Sequence, residues 1–467
     1  MIHFGTGGFR AVIGEDFTKE NVQKVACALA KIMKQEKNNK PIVIGYDKRF
    51  MGKQFAIWFA EVMAEQKIKS YIYTTTISTP AVMYATMTND FAYGVTITAS
   101  HNPYQYSGIK VCVQGGQDAQ PALTEKIEKI ANATKKTKSM DYDTAKEQGL
   151  ILDFENNKEY LKGIQKYISK DIKNNKLKVI FNAMHGTTAE HIGELAKAFK
   201  LQQCTILNSD TDPYFDHSLP APNEKTLEEF KTMVVKGHYS IGLASDGDGD
   251  RLGVITEKGE YLDFNLVMAI IYYYLIKYRN MKGDVVKNLA TSNLLDKLAE
   301  KFGYKCHTVP VGFKYTSSKM KETGAILGGE QSGGLTMKGY IPGKDGLFAM
   351  SLLLDAMATI KKPLTKIVEE VKQFTGYVSQ FKGFDVRVKN KARLIKTLTK
   401  TTPQFSYKPV EVDTRDGWKY IFEDSSWILI RFSGTEDLLR VYMEFPTEIE
   451  CERNLKYIHS FLEEFDK

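Results

Sequence analysis

Four short segments carry residues whose types and spacing suit chemistry. Asp246-Gly-Asp248-Gly-Asp250-Arg251 sets three carboxylates at alternate positions with glycines between them. That spacing cannot share one face of a helix, but a tight loop can wrap it around a hard cation, which takes oxygen ligands. Three crowded acids repel one another unless a cation sits among them, so the segment is read as a metal site rather than a surface turn. A calcium EF-hand is excluded: Glu257 falls at the twelfth loop position, but the sixth is Arg251 rather than glycine, and the preceding YSIGLAS reads as strand. With Arg251 adjacent, Mg²⁺ near a phosphate fits better.

The second segment is Thr98-Ala-Ser100-His101-Asn102-Pro103. A serine leaving a buried strand, with Asn-Pro forcing a turn, presents its hydroxyl at the sheet edge. G-x-S-x-G is absent around Ser100, which argues against a serine hydrolase. His101, adjacent in a strand-like segment, is expected to point away from Ser100 and to be a poor base for it. Lys110, ending SGIK, is better placed if the loop folds back. The third segment, Gly328-Gly329-Glu330-Gln331-Ser332-Gly333-Gly334, lets backbone approach a ligand closely and offers Glu330 and Ser332 to sugar hydroxyls. In the fourth, Arg431, Ser433, Gly434, Thr435 and Arg440 supply fork donors, hydroxyls and a possible backbone nest, chemistry for a phosphate dianion.

Parallel strands under helices are the expected scaffold. Strands are predicted at residues 41–46, 70–74 and 92–99, with a helix at 53–65. The rhythm restarts with strands at 177–181, 204–207 and 241–244 and a helix at 188–199. It restarts again with helices at 264–278 and 293–302 and strands at 284–289, 308–311 and 325–327. Such alternation argues for parallel sheets covered by helices. Each unit has a strand running into one of the first three motifs, and ligands bind beyond the carboxyl ends of strands in open α/β sheets. The last stretch differs: strands at 384–388, 419–422, 427–431 and 439–445 precede a helix at 448–464, which suggests a smaller α+β domain. The expected domains are 1–150, 151–263, 264–375 and 376–467.

The 467 residues correspond to about three domains with room for a small fourth. Apolar residues at 43% and charged residues at 26% exclude a disordered or fibrous chain. The net charge of +8 permits an anionic partner. Nucleic acid is disfavoured, because no basic stripe with interleaved aromatics appears and the acidic loop would repel a polyanion. Cys27, Cys112, Cys204, Cys306 and Cys451 lie far apart without a CxxC, so a reducing, cytoplasmic compartment is expected. Residues 1–10 have no apolar signal region, and the longest greasy run, 266–276, falls short of the roughly 18 residues of a membrane span. No membrane partner is expected.

Together and in this order, TASHNP, DGDGDR, GGEQSGG and RFSGTEDLLR resemble the α-D-phosphohexomutase superfamily, the phosphoglucomutases and phosphomannomutases, over nearly the whole chain. The resemblance implies three similar mixed-sheet α/β domains and a smaller C-terminal α+β domain around one cleft. It implies that Ser100 carries the phosphoryl group and that Asp246, Asp248 and Asp250 bind Mg²⁺ together with a phosphoserine oxygen. Arg251 follows in the same motif. Gly329, Glu330 and Ser332 match the sugar-reading loop, with Lys344 and Asp345 in GKDG as a further segment. Arg431, Ser433, Gly434, Thr435 and Arg440 match the loop for the non-reacting phosphate. Arg10 in GTGGFR and Lys110 match basic residues near the phosphoserine, and His101 joins them as a candidate catalytic residue. The implied reaction interconverts hexose 1- and 6-phosphates through a hexose 1,6-bisphosphate, which also serves as activator. GKDGLFA leans towards glucose, ahead of mannose and then glucosamine. A monomer or weak homo-oligomer is expected. The rival reading is an inactive regulatory or anion-binding relative. Two positions depart from the family pattern: Gly334 stands where many bacterial members have histidine, and Asp437 where proline is common.

Overall fold

The computed structural model describes residues 1–5, 8–433 and 438–465. Four sheets follow one another along the chain. In the first, the order is Phe4–Gly5, Gly8–Val12, Tyr106–Val113, Tyr93–Ile97, Ile42–Tyr46, Ser70–Tyr73, Ile151–Phe154, with Gln117–Asp118 attached to Tyr106–Val113. The second runs Gln203–Leu207, Lys178–Asn182, Ile241–Ser245, Leu252–Thr256, Tyr261–Leu262, and the third Cys306–Val309, Val285–Asn288, Leu327–Glu330, Gly334–Met337. The fourth, wholly antiparallel, is Gln380–Val386, Leu439–Phe445, Trp427–Phe432, Trp418–Ile421, Glu411–Asp413.

Each of the first three sheets is mixed, and in the same way. A parallel strand at its centre turns back through a short loop into an antiparallel neighbour. Those loops are 98–105, 246–251 and 331–333; in the fourth sheet Ser433 and Leu438 follow and precede the paired strands Trp427–Phe432 and Leu439–Phe445. The first three motifs thus occupy the same position in their sheets. The central strands Ile42–Tyr46 and Ile241–Ser245 are largely apolar on both faces and wholly buried, as parallel strands under helices must be.

Helices Phe264–Lys277 and Gly346–Ile360 are buried nearly all round, because they pack between the second and third sheets. Asp263 and Asp345 cap their N-termini. One apolar core spans parts of the first three units, a second belongs to the first sheet alone and a third to the C-terminal unit. Leu289 and Ala290 against Trp427 and Leu429 join the third unit to the fourth.

Some elements lie elsewhere than the sequence pattern predicts. The strand expected at 308–311 is Cys306–Val309, because Pro310 has no amide to continue the ladder. The strand expected at 325–327 is Leu327–Glu330; its two glycines pass beneath Met320 and Met268, where a side chain would collide. Ile151–Phe154 belongs to the first sheet, carrying it past residue 150. Among the described residues no helix is long and apolar enough to cross a membrane.

Candidate active site

One cleft collects the four loops. Its lining includes Arg10, Ser100, His101, Lys110, Asp250, Arg251, Glu330, Ser332, Lys344, Arg431, Ser433 and Arg440. Gly434 and Thr435 lie outside the described residues.

Ser100 is buried with φ at 54°, in the left-handed region. Its amide donates to Thr98 Oγ1 at 2.8 Å, and its Oγ donates to Asp246 Oδ2 at 2.8 Å. The left-handed turn breaks the strand alternation, which corrects the expectation for His101. Its Nδ1 lies 3.4 Å from Ser100 Oγ rather than facing away. Burial, with Arg251 and Arg10 nearby, holds the imidazole well below its ordinary pKa and hence neutral.

The serine turn is clamped from behind by a residue that the motif reading missed. Arg49 Nη2 donates to the Ser100 and Asn102 carbonyls at 2.7 and 2.6 Å, and Nη1 to those of Pro103 and Tyr106 at 2.8 and 2.9 Å. Asp47 holds Arg49 Nε at 3.2 Å and accepts from Thr98 Oγ1 at 2.5 Å. The guanidinium also stacks on Phe215 of the second unit, 4.9 Å from the ring centre. An Asp-Lys-Arg run directly after the strand ending at Tyr46 was the available signal. Arg10 Nη1 reaches the same turn from its other side, donating to Asn102 Oδ1 at 2.7 Å.

Asp246, Asp248 and Asp250 are buried, and each offers a carboxylate oxygen within 4.8 Å of the others'. Protein cations already offset part of their repulsion. Lys110 Nζ lies 2.6 Å from Asp248 Oδ2 and 2.9 Å from Asp250 Oδ2, and Lys344 Nζ lies 3.5 Å from Asp250 Oδ1. Crowding alone therefore does not demand a metal; the donor set and its unused oxygens argue for one instead. Oδ1 of Asp248 is buried without a hydrogen-bond donor, Oδ1 of Asp250 has only long ion-pair contacts with Lys344 and Arg251 at 3.5 and 3.9 Å, and every available ligand atom is a hard oxygen, which fits Mg²⁺. Burial opposes charge at Asp250, yet Lys110, Lys344 and Arg251 hold it well below the carboxylate range. Burial and its two acidic neighbours push Asp246 well above that range.

In the third loop, Glu330 is buried, its Oε1 accepts from the Gly312 amide at 2.9 Å, and its Oε2 stands 3.5 Å from Ser332 Oγ. A Cβ on Gly334 would meet the Lys344 stem, with Cδ 2.4 Å away; the missing side chain gives Lys344 its path into the cleft. Asp345 is not brought to the lining. It is fully buried, caps the helix at Phe348 and accepts from Tyr160 and Tyr340 at 2.9 and 2.7 Å. Gly329 packs under Met268 instead of lining the cleft. Val311, Gly312, Phe313 and Lys314 do line it, and only the V-G-F-K run after a strand could have signalled them.

Arg431 and Arg440 sit directly opposite each other across the fourth hairpin. Like charges so placed repel, which suits a site for an anion between them. The Ser433 amide closes the hairpin on the Leu438 carbonyl at 2.8 Å. Asp416 lies 3.2 Å from Arg431 Nε, and Asp385 3.8 Å from Arg440 Nε.

Comparison with known proteins agrees with this architecture. The chain matches phosphoglucomutase/phosphomannomutase alpha/beta/alpha domains I, II and III over residues 1–138, 158–259 and 263–374. The C-terminal domain of the same family matches over residues 384–456. A phosphoglucomutase/phosphomannomutase of Thermococcus kodakarensis is 28% identical over 476 residues, covering 99% of this chain and 98% of the relative. A probable phosphoglucosamine mutase of Pyrococcus horikoshii is 30% identical over 463 residues, covering 97% and 96%. A solved structure named for a phosphomannomutase, from Thermus thermophilus, superimposes with a TM-score of 0.87 at 26% identity over 99% of both chains. With four domain matches in order and full-length similarity on both sides, the chain belongs to the phosphoglucomutase/phosphomannomutase family, isomerases that work as intramolecular phosphotransferases.

Proposed function

We propose that the chain interconverts hexose 1-phosphate and hexose 6-phosphate, with glucose the preferred sugar, through a phosphorylated Ser100 and a hexose 1,6-bisphosphate. The observation that carries this reading is that described residues from all four motifs line one cleft. A buried serine hydroxyl bonded to Asp246 of the acidic loop lies in the same cleft as a cross-strand arginine pair.

In this reading the free sugar hydroxyl attacks the phosphorus on Ser100. The Oγ–P bond breaks as the new O–P bond forms, and the proton lost by the hydroxyl is the one Ser100 Oγ regains. After the bisphosphate turns over in the cleft, the reverse step removes the other phosphate. Phosphoryl transfer depends chiefly on position and charge. Arg49 and Asp47 fix the serine turn, and Lys110 ties the strand after Ser100 to the aspartate loop. Arg431 and Arg440 would hold the non-reacting phosphate, with Glu330 and Ser332 reading the hydroxyls. Mg²⁺ held by Asp246, Asp248, Asp250 and a phosphoserine oxygen would offset the charge on the transferring group. The bisphosphate would act as activator by rephosphorylating Ser100.

A second reading, glucosamine phosphate as substrate, is favoured by relatives named for phosphoglucosamine mutase, such as that of Bacillus cereus at 28% identity over 471 residues. The deciding experiment is kcat/KM for glucose, mannose and glucosamine 1-phosphates with the bisphosphate supplied. Glucose should lead. A higher value for glucosamine would replace the first reading by the second, and no turnover of any would overturn both.

A further inference from the structure

The readers of sugar and phosphate sit on different domains, yet one carboxylate touches the supports of both. Asp416 lies on the turn between the strands Glu411–Asp413 and Trp418–Ile421, in the C-terminal domain. Its Oδ2 lies 3.2 Å from Arg431 Nε, and its Oδ1 accepts from Nη2 at 3.4 Å. The same Oδ2 accepts the amide of Val311, in the third domain, at 2.9 Å. The next amide, Gly312, donates to Glu330 Oε1 at 2.9 Å.

The local backbone is shaped for this arrangement. Gly417 has φ of 91°, and a Cβ there would lie 2.7 Å from Arg431 Cβ and 2.5 Å from the Ile430 carbonyl. Only glycine lets the turn bring Asp416 against Arg431. Gly312, with φ of 133°, ends this turn at the start of the helix Phe313–Thr323, and the two successive amides of Val311 and Gly312 meet two different carboxylates. The domains are joined independently and further along the sheet. There Glu444 accepts from Ser292 Oγ and from the Asn293 amide, and Lys419 Nζ donates to the Leu289 carbonyl at 2.8 Å. Asp416 is therefore not needed to hold the domains together; its place is at the cleft edge of that junction.

We infer that Asp416 is a positioning residue that couples the two readers. It aims Arg431 at the phosphate, and through the Val311–Gly312 turn it sets where Glu330 meets the sugar. This rests on the proposed function for the substrate class. A change at Asp416 then alters sugar discrimination although Asp416 touches no sugar-reading side chain.

The test compares wild type, Asp416→Asn, Glu330→Gln and the double variant. Glucose 1-phosphate and mannose 1-phosphate are used, with the bisphosphate supplied. Asp416→Asn should raise KM for both sugars and shift the ratio of their kcat/KM values by roughly threefold or more. In the Glu330→Gln background the same substitution should still raise KM but leave the ratio where Glu330→Gln put it. A ratio shift below about threefold in Asp416→Asn, or an equal shift with and without Glu330, overturns the coupling. If Asp416→Asn loses its circular dichroism spectrum, Asp416→Glu, which keeps the charge but moves the carboxylate, carries the same comparison. Calorimetric dissociation constants for the two sugars in Ser100→Ala, with and without the Asp416 change, report the ratio without turnover. An inactive wild type would therefore count against the proposed function and not against the coupling.

Discussion

Lys110 Nζ stands 2.6 Å from Asp248 Oδ2, joining a strand of the first domain to the acidic loop of the second across 138 positions of sequence. Both groups are nearly shut off from water. Removing one partner of a buried ion pair leaves an uncompensated charge, at a cost of about 3–5 kcal/mol. Lys110→Met should therefore lower stability by about that amount. Millimolar Mg²⁺ should raise the variant's Tm more than the wild type's, because the cation replaces the missing ammonium. Equal Mg²⁺ shifts in the two proteins, followed by differential scanning fluorimetry, would mean the aspartates do not hold the ion.

The aspartate loop caps a strand end and contributes little to any apolar core, so the ion is not expected to hold the fold. Chelation of the wild type should abolish activity reversibly and leave the far-ultraviolet circular dichroism nearly unchanged. Cooperative unfolding on chelation would make the metal structural.

Ser100 Oγ and Asp246 Oδ2 make the contact on which phosphoryl transfer would turn. Intact-protein mass should show a phosphate on the purified wild type that Ser100→Ala lacks, and that variant should lose nearly all turnover. A phosphate-free Ser100→Ala with normal activity would remove the serine from the mechanism.

Arg49 does not line the cleft, yet it donates to four carbonyls at the serine turn, and those of Ser100 and Asn102 are met by it in the buried interior. Lysine cannot supply this fork, and each buried carbonyl left unmet costs about 1–3 kcal/mol. Arg49→Lys should reduce kcat far more than it changes KM, since the turn and not the substrate loses its support. A rise confined to KM would show that Arg49 acts on substrate.

The sequence made the four motifs and the strands that launch them legible, because a buried parallel strand is a continuous apolar run and a Gly-rich or Asn-Pro tip marks where it ends. It marks Arg49 only by the Asp-Lys-Arg run after a strand and Asp416 not at all, and this has a physical cause. Each is a single charged residue in a polar turn, and its importance comes from the carbonyls, amides and arginine that distant segments bring to it. His101 was misread because strand alternation assumes negative φ, and one left-handed serine reverses the side-chain direction. Asp345 sits in a family-like motif, but a cap and two tyrosine hydroxyls occupy it instead of the cleft.

Arg431 and Arg440 face each other on one hairpin, and sugar hydroxyls would be read on another domain, so the two sets of substitutions should separate. Losing one charged donor to a phosphate costs about 1.5–3 kcal/mol, or roughly ten- to a hundredfold in affinity. Arg440→Ala should raise KM for glucose and mannose phosphates by a similar factor. Glu330→Gln should disturb their ratio. A loss in Arg440→Ala confined to one sugar would make that arginine a sugar reader.

Gly334 and Lys344 compete for one space. A methyl group at 334 would lie 2.7 Å from Lys344 Cβ and 2.4 Å from its Cδ, so the root of the side chain must move along with its tip. Overpacking of this kind costs about 1–3 kcal/mol. Gly334→Ala should accordingly lower the Tm and weaken activity, because Lys344 Nζ is pushed away from Asp250 Oδ1. Lys344→Ala alone should also lower the Tm and lose activity, since it removes a cation that offsets the buried Asp250. The double variant Gly334→Ala/Lys344→Ala should melt no lower than Lys344→Ala and be as weak in activity, because the clash has gone with the stem. Thermal melts and kcat/KM for the four proteins test this. If Gly334→Ala lowers the Tm as much in the Lys344→Ala background as in the wild type, the clash is with backbone and Lys344 does not owe its position to the glycine.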